Sequence, residues 1–354
     1  MVLDKFLLIS FPIILLINFL FVRNYQFLFL KKTRDNEFHK PQAFHYISTP
    51  RIGGFLIFFF IIIFLIFFSK KNLFFSQIIY LGATFFFLGF LEDLKLNIKP
   101  ELRLFFMLIV SFSIIYFLDL KINNYQFSTL NNFINSNKII SSLFVCLCLI
   151  FIVNGCNFID GFNGLLIIHT IIILGILYFI NSQNSGGGLI NYFIFFCITV
   201  CFSVLIFNFP QAKIFLGDGG AYFLGTIISL LTIEISNLNK EISPFFFACI
   251  LFYIFFEVFF SFFRKIIFFK SSPFKPDKKH LHMLVYKFVF SKLKKNRLAN
   301  YITGILVNLF YFFLIIPLFF FYNDKIFCQM YFLFLLIVYL LIYLWLKEKL
   351  VFNS

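Results

Sequence analysis

Eleven apolar runs divide this chain, at approximately 4–22, 52–68, 73–91, 102–120, 139–153, 164–180, 189–207, 221–236, 245–263, 298–322 and 326–346. Most can cross a hydrocarbon core of about 30 Å as a helix. In hydrocarbon an open chain satisfies its backbone polar groups only as a helix. The expected fold is therefore all-α: a polytopic integral membrane protein with about 11 transmembrane helices and a single membrane-embedded domain over residues 1–354. Composition agrees, with 61% hydrophobic residues and 13% charged, against roughly 25% charged in soluble domains. The shorter runs are expected to continue into the polar residues that follow them. The first run has no A-x-A-like cleavage site and is read as an uncleaved anchor.

Lys and Arg set the expected orientation. Counting Arg103 with the loop it borders, 23 of the 30 basic residues lie in the C-terminal tail and the loops after runs 1, 3, 5, 7 and 9. The positive-inside rule puts those loops in the cytoplasm and the N-terminus outside. Most of the net charge of +15 is accounted for by topology and anionic headgroups. With no soluble domain to carry it, nucleic acid is excluded as a partner. The seven cysteines show no zinc-type spacing, and their odd number argues against a disulfide framework. On the external side, residues 181–188 read as a flexible turn and 121–138 as an Asn-rich connector.

Nearly every unusual polar residue falls in the cytoplasmic loops, in five segments. The first is His39-Lys40-Pro41 with Ser48-Thr49-Pro50-Arg51-Ile52-Gly53-Gly54, where proline and the glycine pair allow a tight helix start near an anion. The second is Gly89-Phe90-Leu91-Glu92-Asp93-Leu94-Lys95, followed by Lys99-Pro100-Glu101-Leu102-Arg103. Two acids at the end of a helix oppose its dipole, so helix stability does not account for them. A hard cation or a phosphate-facing base would.

In the third segment, Asn154 to Leu165, polar residues recur every three positions, and Asn154, Asn157 and Asp160 would share one helix face. Such groups are costly at a membrane edge unless they bind something or one another. The fourth, Lys213-Ile214-Phe215-Leu216-Gly217-Asp218-Gly219-Gly220, frames one acid with glycines and leaves room for a metal and a phosphate. The fifth, Pro276 to His282, sets His280 and His282 two apart among lysines, which favours an anion over a metal. An extended segment would point these rings the same way and a helix opposite ways. Each segment also has an ordinary reading, as a turn, a solvated helix end or a self-satisfied polar cluster. A transporter would instead line a path at mid-membrane depth, yet only Asp119, Glu234 and Glu257 are acids that could sit within a span.

In order and spacing, these segments resemble the polyprenyl-phosphate N-acetylhexosamine-1-phosphate transferases of glycosyltransferase family 4. Initiators of O-antigen and teichoic-acid synthesis belong to that family, and phospho-N-acetylmuramoyl-pentapeptide transferase is related to it. The resemblance covers residues 40 to 283 and all five segments. It implies transfer of a sugar 1-phosphate from a UDP-N-acetylhexosamine to undecaprenyl phosphate, on cytoplasmic loops of the bacterial inner membrane, with release of UMP. It further implies Mg²⁺, with Mn²⁺ able to substitute, held by Asp218 and Asn157. Asp93 would engage or activate the lipid phosphate, and Asp160 would organise the same site. Arg51, Glu92, Lys99, Asn154, Asn163, His280 and His282 would contact substrate. The implied partners are the UDP-sugar, the polyprenyl phosphate and the membrane, with a homodimer as a further option.

The chain departs from the family pattern at three positions. Glu92 stands where the family usually has Asp, Asn163 replaces the second Asp of D-G-x-D-G, and Met283 stands where many members have His. The Pro50-Arg51-Ile52-Gly53-Gly54 form favours the O-antigen and teichoic-acid initiators. The alternatives are the pentapeptide transferase and a non-enzymatic carrier or scaffold. Orientation is directly testable in a variant lacking the native cysteines. Asn97→Cys and Lys278→Cys should react with an impermeant maleimide only from the cytoplasm, and Gly186→Cys only from outside. Labelling of position 278 from outside would reverse the topology.

Overall fold

A computed structural model describes residues 2–25, 32–35, 48–68, 72–96, 98–184, 188–268, 270, 272–273 and 277–351. The His39-Lys40-Pro41 segment lies outside them. Among the described residues, eight helical segments are long and apolar enough to cross a membrane. They are α3 (Leu73–Asp93), α4 (Pro100–Phe117), α6 (Lys138–Ile159), α7 (Leu165–Asn184), α8 (Gly188–Asn208), α9 (Gly217–Leu238), α13 (Asn296–Ile315) with its 3₁₀ extension to Phe319, and α14 (Lys325–Val351). A ninth is formed if α10 (Pro244–Ile250) and α11 (Phe252–Phe263), bent 72° apart, are taken as one span. The apolar stretches Ile9–Asn24 of α1 (Val2–Asn24) and Gly53–Phe68, which is α2, are shorter. Each expected run thus lies on a helix, and among the described residues eight or nine segments meet the length and hydropathy of a crossing.

Local signals account for several helix starts. Asn72 and Asn137 cap α3 and α6, their side chains accepting the N–H of Phe74 and Ile139. Pro100 opens α4, where its missing N–H costs nothing. Two helices fall in segments read from sequence as loop. One is α5 (Ser128–Asn135) in the Asn-rich connector, and the other is α12 (Leu281–Leu293) directly after His280.

The bundle is built around α9, 78% of whose apolar window is buried, whereas α4 and α14 bury 17% and 22% and face outward. Helices α2, α3, α6 and α7 pack on α9. Close approach requires glycine where α2 crosses the start of α9: a Cβ on Gly54 would collide with the backbone of Gly220. Small residues let helix backbones meet in this way inside a membrane. The crossing is also hydrogen-bonded. Gly53 and Gly54 donate to the carbonyls of Phe215 and Leu216 at 2.9 and 2.8 Å, and Phe215 donates to Pro50 at 2.8 Å. A two-residue antiparallel pair, β1 (Arg34–Asp35) with β2 (Thr49–Pro50), secures the other side of this segment.

At the break between α10 and α11 the Tyr311 hydroxyl donates to the Ile250 carbonyl at 2.6 Å. A broken helix is tolerated in a membrane when its freed groups find such partners. Beyond α11 the helix continues as one π-helical turn, Arg264–Phe268. The α2–α9 crossing can be probed through Gly54→Ala. Overpacking there should cost about 1–3 kcal/mol, read as a lowered thermal midpoint in detergent. An unchanged midpoint would mean that the backbones are not in contact.

Candidate active site

Asp93 ends α3, where its own helix dipole disfavours a negative charge. The fold resolves this by aiming the carboxylate at the start of α9. Its two oxygens accept the N–H groups of Asp218 and Gly219, each at 3.0 Å. Gly217 makes the approach available, since its φ of +81° is a conformation that favours glycine and a Cβ there would lie 2.6 Å from Asp93 Oδ2. Asp93 is only 2% exposed. A buried carboxylate needs such partners.

Arginines complete the cluster. Arg51 Nη1 lies 3.5 Å from Asp93 and 3.7 Å from Asp218, while its Nη2 pairs with Asp35 at 2.8 Å. Burial works against the Arg51 charge, but Asp218, Asp93 and Asp35 outweigh it and push its pKa up. Arg103 Nη1 stands 3.4 Å from Asp218 and 3.6 Å from Glu92. Glu92 also accepts the Ile98 N–H at 3.0 Å, which ties the α3–α4 turn. Asp218 is thus flanked by two guanidinium groups, with a quarter of its side chain exposed.

The third segment forms the facing wall. Helix α6 runs to Ile159, and Asn154, Asn157 and Asp160 all line one cleft, as their spacing predicts. Burial first, and then the charge of Asp218, push the Asp160 carboxyl up to about 7, with Arg51 opposing. Asn163 lines the cleft too; its amide donates to the Pro210 carbonyl and its N–H bonds Asn300, both at 2.9 Å.

His280 lines the cleft beside Phe158, with ring centroids 5.2 Å apart. Its ring stacks near-parallel on His282 at 5.5 Å, with α12 beginning between them. Asp277 lies 3.8 Å from His280 Nε2. Burial opposes its charge, but the Lys279 N–H, Arg264, His280 and Lys265 together hold its carboxyl below the usual range.

The cleft that unites these groups measures about 580 Å³. It brings together Arg51, Glu92, Asp93, Asn154, Asn157, Asp160, Asn163, Asp218 and His280. Two expected residues are not part of its lining. Lys99 sits at the N-cap of α4, and Arg103, one turn on, takes the place beside the acids. His282 is fully buried behind Phe162, and burial lowers its pKa to about 4. Asp35, Arg103, Glu257 and Lys265 are not among the expected site residues, although Arg103 closes the second segment and Glu257 stands out as an acid inside an apolar run.

Residues 75–236 match the family model described as glycosyl transferase family 4. Over that stretch the chain is similar to glycosyl transferase family 4. It is similar to the undecaprenyl-phosphate alpha-N-acetylglucosaminyl 1-phosphate transferase of Thermotoga maritima, 27% identical over 72% of this chain and 74% of the relative. A probable undecaprenyl-phosphate N-acetylglucosaminyl 1-phosphate transferase of Bacillus subtilis is 31% identical over 45% of this chain and 44% of the relative. The phospho-N-acetylmuramoyl-pentapeptide-transferase of Francisella tularensis is 27% identical over 55% and 62%. The chain therefore spans less than two thirds of the length of the latter two.

The matched region contains Asp93, Asn157, Asp160 and Asp218 and stops short of His280 and His282. Among the described residues, no group of three or more His, Cys, Asp or Glu is placed to hold a metal by itself. Asn157, Asp160 and Asp218 nevertheless supply oxygen donors to one cleft, where Asp218 opposes ionisation of Asp160. That set fits a hard divalent cation sharing its coordination with substrate phosphates. The Asp93 contacts have a direct consequence for stability. Asp93→Asn exchanges one acceptor for a donor against the start of α9 and should cost about 3 kcal/mol, read by thermal unfolding in detergent. An unaltered midpoint would show that this contact does not hold α9.

Proposed function

We propose that this protein transfers an N-acetylhexosamine 1-phosphate from a UDP-sugar to undecaprenyl or a related polyprenyl phosphate. The observation that carries the reading is the two-sided cleft. Arg51, Arg103 and His280 join the acids at one end, while Leu108 of α4, Ile150 and Phe151 of α6, and Val258 and Phe262 of α11 give it an apolar wall. A lipid with a phosphate head needs both surfaces. The similar proteins of Thermotoga maritima and Bacillus subtilis support the same reading.

In the proposed reaction an oxygen of the lipid phosphate bonds to the phosphorus that carries the sugar. The bond from that phosphorus to the bridging oxygen of UMP breaks, and UMP leaves with the electron pair. Bringing two anions together requires positioning and charge neutralisation above all. Arg51 and Arg103 are the cations for this task, and His280 lines the same cleft. Both oxygens of Asp93 are already engaged, which favours a part in holding Arg51 and the α9 N-terminus against the phosphates. Asp218 and Asn157, with Asp160 beside them, would hold Mg²⁺. Bound there, the ion supplies charge neutralisation on the phosphates.

The excess of Lys and Arg on alternate loops supports a cleft on the cytoplasmic face of a bacterial inner membrane. The finer reading is an initiator of a surface glycan such as O-antigen or teichoic acid. Its rival is the pentapeptide transferase of peptidoglycan synthesis, which the Francisella tularensis relative keeps open; a panel of UDP-sugars separates the two. Asp218→Asn should abolish UMP release while the protein still inserts and folds. EDTA should stop wild-type turnover, and Mg²⁺ or Mn²⁺ should restore it. Full activity in metal-free membranes would refute the metal-assisted mechanism.

A further inference from the structure

Glu257 lies in α11, on the second limb of the broken span, and is 1% exposed. A carboxylate at such a position is expensive unless its oxygens are satisfied, and here both are. Oε1 accepts the Leu281 N–H at 3.0 Å and lies 3.8 Å from His282 Nδ1. Oε2 faces His280 Nδ1 at 3.0 Å. The phosphotransfer described above gives this acid no part, and it does not line the cleft.

We propose that Glu257 is a positioning residue for the transfer, fixing the His280 ring in the lining of the cleft and the first residue of α12 as one unit. The inference rests on the phosphotransfer reading. An ionised carboxylate only accepts hydrogen bonds, so the Nδ1 it faces carries a proton. That bond sets the ring orientation, as the partner of one imidazole nitrogen commonly determines what the other can do. The flanking rings prevent escape, with Phe158 on one side and the stacked His282 on the other. The Leu281 contact adds the backbone, so the ring and the start of α12 cannot shift independently. Because α11 also forms the apolar wall of the cleft through Val258 and Phe262, one helix sets the polar group and part of that wall.

The test uses the full chain, with Glu257→Gln, His280→Gln and the double variant assayed for UMP release from UDP-N-acetylglucosamine and undecaprenyl phosphate. Misplacement by about 1 Å can cost roughly a hundredfold. Glu257→Gln should therefore lower kcat about tenfold to a hundredfold with KM for the UDP-sugar little changed. Positioning through His280 makes the two substitutions non-additive, so Glu257→Gln should cost less than about twofold in the His280→Gln background. Wild-type kinetics in Glu257→Gln, or an equal cost in both backgrounds, would overturn the inference. A measurement independent of turnover accompanies the assay. In ¹⁵N-histidine-labelled protein, the signal lost in His280→Gln should report a protonated Nδ1 in the wild type, a preference that Glu257→Gln removes. An unprotonated Nδ1 in the wild type would sink the inference whatever the kinetics. Absence of UMP release by the wild type would instead overturn the phosphotransfer reading, while the NMR signal still decides whether Glu257 holds His280.

Discussion

At the end of α3 the chain places a carboxylate where its own helix dipole repels it, and the first N–H groups of α9 receive it. This contact ties the end of α3 to the start of α9, two helices packed side by side in an apolar bundle. It also fixes the geometry of everything around it. Asp218 supplies one of the two N–H groups, so its side chain leaves the backbone from a pinned position between Arg51 and Arg103. Arg51 is held in turn by Asp35, across a two-residue β pair. The Asp93 contact therefore sets where the remaining charges stand.

Charge at a membrane edge is tolerated only when it is paired, hydrogen-bonded or open to water. The three solutions are distributed unevenly here. Asp93 and Glu257 are sealed and saturated by N–H groups. Asp218 keeps part of its carboxylate open to the cleft, and Asp160 lies opposite it. The sealed acids orient neighbours, whereas the open ones remain accessible to a ligand. The two kinds look alike as letters in a sequence, because burial and partner geometry alone separate them.

Apolar packing makes this arrangement rigid. The glycine crossing of α2 and α9 brings the loop ahead of α2 within backbone hydrogen-bonding distance of residues 215 and 216. The bend between α10 and α11 sends the second limb, with Glu257 and Val258, along the cleft rather than on through the bundle. A straight span would carry these residues elsewhere. The polar end of the cleft and its apolar wall thus come from helix directions as much as from side chains.

The sequence by itself determined the class of fold, since runs of this length and hydropathy are stable in a membrane only as helices. It also marked most of the cleft: Arg51, Glu92, Asp93, Asn154, Asn157, Asp160, Asn163, Asp218 and His280 stood out as polar residues at the ends of apolar runs, and all line it. Tertiary structure decided what a linear reading could not. Lys99 and Arg103 are equally basic and one turn apart, and only the direction of α4 selects Arg103. His280 and His282 look equivalent two residues apart, yet only His280 lines the cleft, while His282 packs against Phe162. Glu257 was visible as an acid in an apolar run, but its partners are 23 and more residues away in the chain. The physical reason is common to these cases. Hydropathy and spacing are local quantities, whereas a charge is placed by groups that only the packed chain brings within hydrogen-bonding distance.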